Sequence, residues 1–226
     1  MLILRESFYQ DSIVLLEGAV ADMLARIEVI RKYQKIHNDR DPIKYLSSRI
    51  KTEDSMKGKL ERKGFPVTLE SALTNVYDAA GIRIVCPYLD DVYDMAAMIL
   101  SYKDLTIVEE KDYIQNPKPN GYRSYHIIVQ LNVSVPGSVK SLGLNMSNNK
   151  NILDTYPVYL EIQIRTMAMD FWSSLEHQIK YKKDIENADL IGEELKRCAE
   201  MITTTDMNMQ VIRQLIDNNR KEDESE

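Results

Sequence analysis

The chain has 226 residues, with 29 lysines and arginines against 35 aspartates and glutamates, a formal net charge of −6. A chain of this length buries roughly 70% of its unfolded surface, so one sizeable core with helical flanks is expected rather than two domains. With 44% hydrophobic and 28% charged residues the composition is that of a globular protein, and it excludes disordered and low-complexity classes. No stretch reaches the ~18 consecutive apolar residues of a membrane span, and net acidity argues against a dedicated duplex-DNA binder. The opening apolar run is cut at once by Arg5 and Glu6, unlike a secretory leader. The two cysteines, Cys86 and Cys198, do not make a disulfide framework, which points to the cytoplasm.

Asp11 to Ile36 carries apolar residues at helical spacing, from Val14 and Leu15 through Met23, Ile27 and Ile30 to Tyr33, and predicts one long helix. Asp41-Pro42 ends it, and a short turn or helix is expected as far as Ser48. Thr52 is a natural N-cap for a helix whose first turn holds Glu53 and Asp54, with Gly64 and Pro66 as its stop. A short helix fits Leu69 to Tyr77. Gly81 to Cys86 is β-branched and alternating, a strand closed by Pro87. Helical spacing returns over Leu89 to Tyr102. Strands follow at Leu105 to Glu110, Ser124 to Val133 and Tyr156 to Arg165, then helices at Thr166 to Lys182 and Leu190 to Asn218. The Ser/Asn/Gly-rich Val135 to Asp154 stretch reads as a mobile hairpin insertion. These elements predict an α/β (α+β) fold, a mixed sheet of about five strands inside a helical frame.

Three segments could carry chemistry. In Tyr159 to Arg165 the alternation puts Glu161, Gln163 and Arg165 on one strand face and Leu160, Ile162 and Ile164 on the other. A solvent-facing sheet surface explains that pattern, and so does a site in which Glu161 and Asp78 hold Mg²⁺ on a nucleotide. Lys44 to Lys63 holds seven basic residues against three acidic ones, opposite in sign to the whole chain. Most charge runs are solvated helix faces, but this reversal suits a polyphosphate or RNA. Lys118-Pro-Asn-Gly-Tyr-Arg-Ser-Tyr-His126 is either a plain turn entering a strand, or an aromatic and cationic surface for a base and its phosphates. No Gly-rich phosphate loop ending in Gly-Lys-Ser/Thr occurs. His177, beside Trp172 and Tyr181, reads as a structural histidine.

The strings Arg49-Ile-Lys51, Asp78-Ala-Ala-Gly-Ile-Arg83, Asn116 to His126, Glu161-Ile-Gln-Ile-Arg-Thr166 and Met169 to His177 occur in that order. Together they resemble the synthetase domain of the RelA/SpoT superfamily, and the short chain with helical flanks resembles its stand-alone small alarmone synthetases. The resemblance implies a nucleotidyltransferase-like fold and an Mg²⁺-dependent GTP/GDP pyrophosphokinase. Such an enzyme moves the β,γ-pyrophosphate of ATP to the 3′-hydroxyl of GDP or GTP, giving AMP and the stringent-response alarmone (p)ppGpp.

Carried over by residue, the resemblance implies that Arg49 and Arg83 sandwich adenine, while Lys51, Lys57 and Lys59 serve the ATP phosphates. Asp78 and Glu161 hold Mg²⁺, and Glu161 activates the acceptor hydroxyl. Tyr122 stacks on guanine, and Lys118 and His126 meet the acceptor phosphates with Lys111 and Asn120 on the same side. Gln163 and Asp170 lie near the acceptor ribose or base. Lys111 stands where arginine is common in the family, which gives a point charge in place of a planar fork. The implied division is a helical flank over 1–43, a synthetase core over 44–182, a C-terminal helix over 183–218 and a disordered tail over 219–226. The resemblance also implies a homotetramer; no membrane association is expected from a chain without an apolar span, and regulation by (p)ppGpp or RNA stays open. Long members of the superfamily carry a His-Asp hydrolase domain before this region, and hydrolysis is not expected here. The competing expectations are a catalytically silent nucleotide- or RNA-binding regulator of the same fold and a transferase of nucleoside monophosphate. Retention of both Asp78 and Glu161 favours a working pyrophosphokinase over the silent regulator.

Overall fold

The computed structural model describes residues 8–136, 153–180 and 187–223. After a single 3₁₀ turn at Gln10–Ser12, the elements are α1 (Ile13–Asn38), β1 (Tyr45–Ile50), α2 (Glu53–Lys63), α3 (Leu69–Asn75), β2 (Ala80–Cys86) and α4 (Leu89–Leu100). There follow β3 (Thr106–Asp112), β4 (Tyr125–Pro136), β5 (Leu153–Thr166), α5 (Met167–Lys180) and α6 (Ala188–Asp223). The five strands form one mixed sheet in the order β1-β2-β5-β4-β3, in which only the β2–β5 pair is parallel.

Alternation along the strands sorts the sheet into two unlike faces. Ile82, Ile84, Ile127, Val129, Leu160, Ile162 and Ile164 are buried on one of them. They form one core with Leu16, Met23 and Ile27 of α1 and with Val92, Met95 and Ile99 of α4. Each such side chain contributes about 1.5–3 kcal/mol on burial. The other face carries the polar partners. Register aligns Ser47, Arg83, Gln163, His126 and Lys111 in a row across all five strands. A second row, Arg49, Gly81, Glu161, Ile128 and Glu109, lies beside it. The apolar alternation that builds the core therefore also gathers charge from distant parts of the chain onto one surface.

Most elements form where their patterns place them. Thr52 caps α2 by accepting from the Ser55 amide, and Gly64 closes it at φ 71°, a conformation that suits glycine. Residues 45–50 differ from expectation: the predicted turn or helix is the edge strand β1, whose backbone pairs with β2 from Tyr45↔Val85 to Ile50↔Ala80. Its side chains are mostly exposed, so it carries little of the apolar signal that marks a buried strand. Both β4 and β5 run further than expected. The core of the expected hairpin insertion, residues 137–152, lies outside the described residues. The last helix continues past Asn218 to Asp223, into the stretch expected as a disordered tail, and residues 224–226 lie outside the described residues.

Polar contacts dock α6. Thr166 donates to Asp206 at 2.6 Å and accepts from the Met169 amide at the start of α5. Trp172 Nε1 donates to the Leu195 carbonyl at 2.8 Å. Arg213 pairs with the fully buried Asp91 at 3.3 Å, and Gln210 bonds Asp90. Burial raises the Asp206 carboxyl above its ordinary 3.8, and the Thr166 hydrogen bond only partly offsets that. The unfolded state then loses this proton at lower pH than the folded state, so this group's contribution to stability falls as pH rises through the interval above 3.8. Asp206→Asn keeps an acceptor for Thr166 and removes the titration. Urea unfolding should show a variant gain over the wild-type protein that grows from acidic to neutral pH. A gain independent of pH would contradict the assignment.

Candidate active site

The polar rows floor a cavity of about 1080 Å³. Seven lysines and arginines line it against four carboxylates, a cationic excess on a chain of net charge −6. Such a local field favours a polyphosphate ligand. Two carboxylates from different elements stand within it. Asp78 sits in the turn before β2, where its Oδ2 meets Lys59 Nζ at 2.7 Å and Lys51 Nζ at 3.2 Å. Lys59 reaches Asp78 from the flank of α2, whose inner side is buried through Met56 and Leu60. Asp78 Oδ1 is buried with no hydrogen-bond partner among the described residues.

Glu161 stands in the middle of its row on β5, with Gly81 and Ile128 beside it. Its Oε1 lies 3.2 Å from His126 Nδ1, and its Oε2 accepts from Gln163 Nε2 at 2.8 Å. Burial alone would push this carboxyl up. The His126 hydrogen bond and charge, the Gln163 amide and the nearby Lys59 outweigh it and hold the group at about 2. Glu161 is therefore an anion at neutral pH. With the unpartnered Asp78 oxygen it makes the kind of donor set a hard divalent cation takes. Among the described residues no group of three or more such side chains converges, so a cation here would complete its shell from phosphate oxygens and water.

Arg49 lies on the edge strand β1, while Tyr122 lies on the loop that leads into β4, beside His126. Its hydroxyl meets His126 Nε2 at 2.9 Å and accepts from Arg165 at 2.5 Å. Lys118 Nζ lies over both the Tyr122 and Tyr113 rings, 4.7 and 4.6 Å from their centroids. Burial, with the like charges of Lys111 and Arg165, holds the Lys118 ammonium below the ordinary lysine value. Arg165, only 3% exposed, also bonds Gln163 Oε1 at 2.9 Å, Ser124 Oγ at 3.3 Å and Asp170 at 3.2 Å. Asp170 shares the same oxygen with Arg83 at 3.3 Å.

The structure brings most of the sequence-predicted residues to this cavity. Arg49, Lys59, Asp78 and Arg83 line one part of it, Lys111, Lys118, Asn120, Tyr122 and His126 another, and Glu161 and Gln163 the floor between them. Lys51 stands behind Asp78 and outside the lining. Asp170 lies behind the two arginines it pairs, and Lys57 is elsewhere, paired with Glu53 at 2.5 Å and 5.8 Å from the Phe8 ring centroid. The sequence reasoning assigned no role to Arg165, although the strand alternation that singles out Glu161 and Gln163 includes it. It also missed Tyr113 and Glu176, which lie on a loop and a helix with no local signal of their own. His177, expected as structural, is exposed on α5 and lines the cavity.

A mixed sheet carrying two carboxylates amid cations, with an arginine pair towards one end and an aromatic ring towards the other, defines a nucleotide-dependent phosphotransferase. Residues 48–186 match the family model described as the region found in RelA / SpoT proteins. The chain belongs to that family. It is 38% identical over 189 residues to GTP pyrophosphokinase YwaC of Bacillus subtilis, an alignment spanning 84% of this chain and 82% of that protein. Among solved structures it resembles small alarmone synthetase 2 of Bacillus subtilis at TM-score 0.72 and 35% identity, covering 90% of this chain and 97% of that one. It resembles small alarmone synthetase 1 of Bacillus subtilis bound to its product pppGpp at TM-score 0.74 and 30% identity, over 91% and 97%.

Proposed function

We infer that the chain is a GTP pyrophosphokinase, a (p)ppGpp synthetase that transfers the β,γ-pyrophosphate of ATP to the 3′-hydroxyl of GDP or GTP. The observation that carries the assignment of its working parts is a single cavity with two unlike ends meeting at Asp78 and Glu161. Towards the donor end, Arg49 and Arg83 stand on neighbouring strands around a slot over Gly81, where even a Cβ would meet nothing closer than 3.7 Å. That slot takes adenine between two guanidinium planes. Lys59 serves the phosphates that follow, while Lys51 acts from behind Asp78, whose carboxylate it pairs. Towards the acceptor end, guanine stacks on Tyr122 in place of the Lys118 ammonium, which then meets the acceptor phosphates with His126.

Transfer requires the 3′-oxygen to attack the β-phosphorus in line while the bond to the α-phosphate breaks and AMP leaves. Asp78 and Glu161 fit Mg²⁺, which when bound supplies neutralisation of charge on the moving phosphates. Glu161, ionised and fixed by His126 and Gln163, accepts the hydrogen bond of the acceptor hydroxyl and orients its lone pair. Incubation with ATP, GDP and Mg²⁺ should yield AMP and ppGpp. Release of pyrophosphate without AMP would replace this function with nucleotidyl transfer.

Assembly as a homotetramer in the cytoplasm completes the proposal. It is supported by the apolar side chains that α6 leaves exposed, among them Met201, Met207, Val211 and Leu215. No helix among the described residues is long and apolar enough to cross a membrane. Light scattering should give four times the chain mass at micromolar concentration, and a monomer would remove the tetramer.

A further inference from the structure

The loop that carries Tyr122 has one side against α6. It is closed by its own backbone, with the Gly121 amide bonding the Lys118 carbonyl at 2.8 Å and the Lys118 amide bonding the Tyr122 carbonyl at 3.2 Å. Gly121 turns the tip at φ +88° and presses against the helix. A Cβ there would lie 2.6 Å from the Ala199 Cβ and 3.5 Å from the Lys196 Cα. Among the described residues Ala199 is the only buried apolar side chain of α6, 4% exposed, while larger apolar residues of the same helix face outward. On its far side the loop is held by Asn120, which donates to Glu176 of α5 at 3.0 Å.

The helix cannot simply yield. Trp172 holds the Leu195 carbonyl one turn before Ala199, and Asp206, Gln210 and Arg213 are held on the other side by Thr166, Asp90 and Asp91. A side chain larger than alanine at 199 therefore displaces the loop before it displaces the helix. We propose that α6 sets the position of the acceptor-nucleotide loop and that Ala199 is the positioning residue on which Gly121 rests. This rests on the assignment of residues 118–122 to the acceptor. Ala199 touches no substrate and acts only through Gly121, one residue from the stacking ring and three from Lys118.

The test is the division of effects between the two substrates. Ala199→Leu should raise the KM for GDP about tenfold or more, on the scale at which a misplacement of ~1 Å costs ~10²-fold, with the KM for ATP within about twofold of normal. Ala199→Ser, almost the same size, should restore wild-type behaviour. Ala199→Val supplies a smaller step if the leucine variant does not fold. Folding is followed by thermal melts, and Tyr122→Ala is assayed alongside. An unchanged GDP KM in the folded leucine or valine variant, or equal rises for both substrates, would overturn the proposal while Tyr122→Ala raises the GDP KM. An unchanged GDP KM in Tyr122→Ala would instead overturn the acceptor-loop assignment, and this inference with it.

Discussion

Glu161→Gln should cut steady-state AMP release by ~10²–10⁴-fold, the scale of losing a positioned base, while GDP binding changes far less. The substitution nearly preserves shape and removes the anion. The lost charge is the one His126 and Gln163 hydrogen-bond, and it is the group that would take the acceptor hydroxyl's hydrogen bond. Stacking on Tyr122 does not involve this carboxylate, so titration calorimetry with GDP should report an affinity close to normal. A residue that merely faced solvent from a strand would change stability and rate little, within about ±0.5 kcal/mol. A folded Glu161→Gln protein with near-normal AMP output would contradict the catalytic assignment.

The second large effect is expected at Arg165. Arg165→Met keeps much of the side-chain volume and removes a guanidinium that is 3% exposed and bonded to Tyr122, Gln163, Asp170 and Ser124. Breaking a buried pair from one side costs about 3–5 kcal/mol. The partly exposed Asp170, which keeps Arg83, places the expected loss near the lower figure. The same change frees the Tyr122 hydroxyl from its cation, so the KM for GDP should rise with the loss of stability. Urea unfolding and steady-state kinetics on one preparation measure both. By contrast, the exposed Lys111–Glu109 pair at 2.7 Å is of the kind worth ~0–1 kcal/mol. A change at Arg165 no larger than that would contradict its central place.

The sequence made the local geometry legible where a short-range rule applies. Thr52 and Gly64 bracket α2, and alternation along β5 assigns Glu161 and Gln163 to one face. The same rule places Arg165 there, although the strand pattern does not reveal that its guanidinium is buried by partners from four other positions. Along α2, the spacing of Met56 and Leu60 separates Lys59, turned toward Asp78, from Lys57, turned away; the local motif alone did not. The pairing of Asp78 with Lys51 and Lys59 joins a turn, the end of a strand and a helix, and no short-range pattern encodes it. Edge strand β1 escaped for the opposite reason, since none of its side chains is fully buried and backbone pairing with β2 chiefly defines it.

The order of strands across the sheet bears on how the molecule is made. The central strand, β5, is the last of the five to leave the ribosome. Until it arrives, β1 with β2 and β3 with β4 can form only two separate ribbons, and the inner edges of β2 and β4 stay open. Unpaired edges invite association between nascent chains; β5 closes that of β4 by an antiparallel pairing with its neighbour in sequence, but closing that of β2 requires a parallel pairing across some eighty residues, which is intrinsically slow. Glu161, Gln163 and Arg165 all arrive on the closing strand. No truncated translation product that stops short of β5 can carry the site, so an interrupted chain yields no stray synthetase.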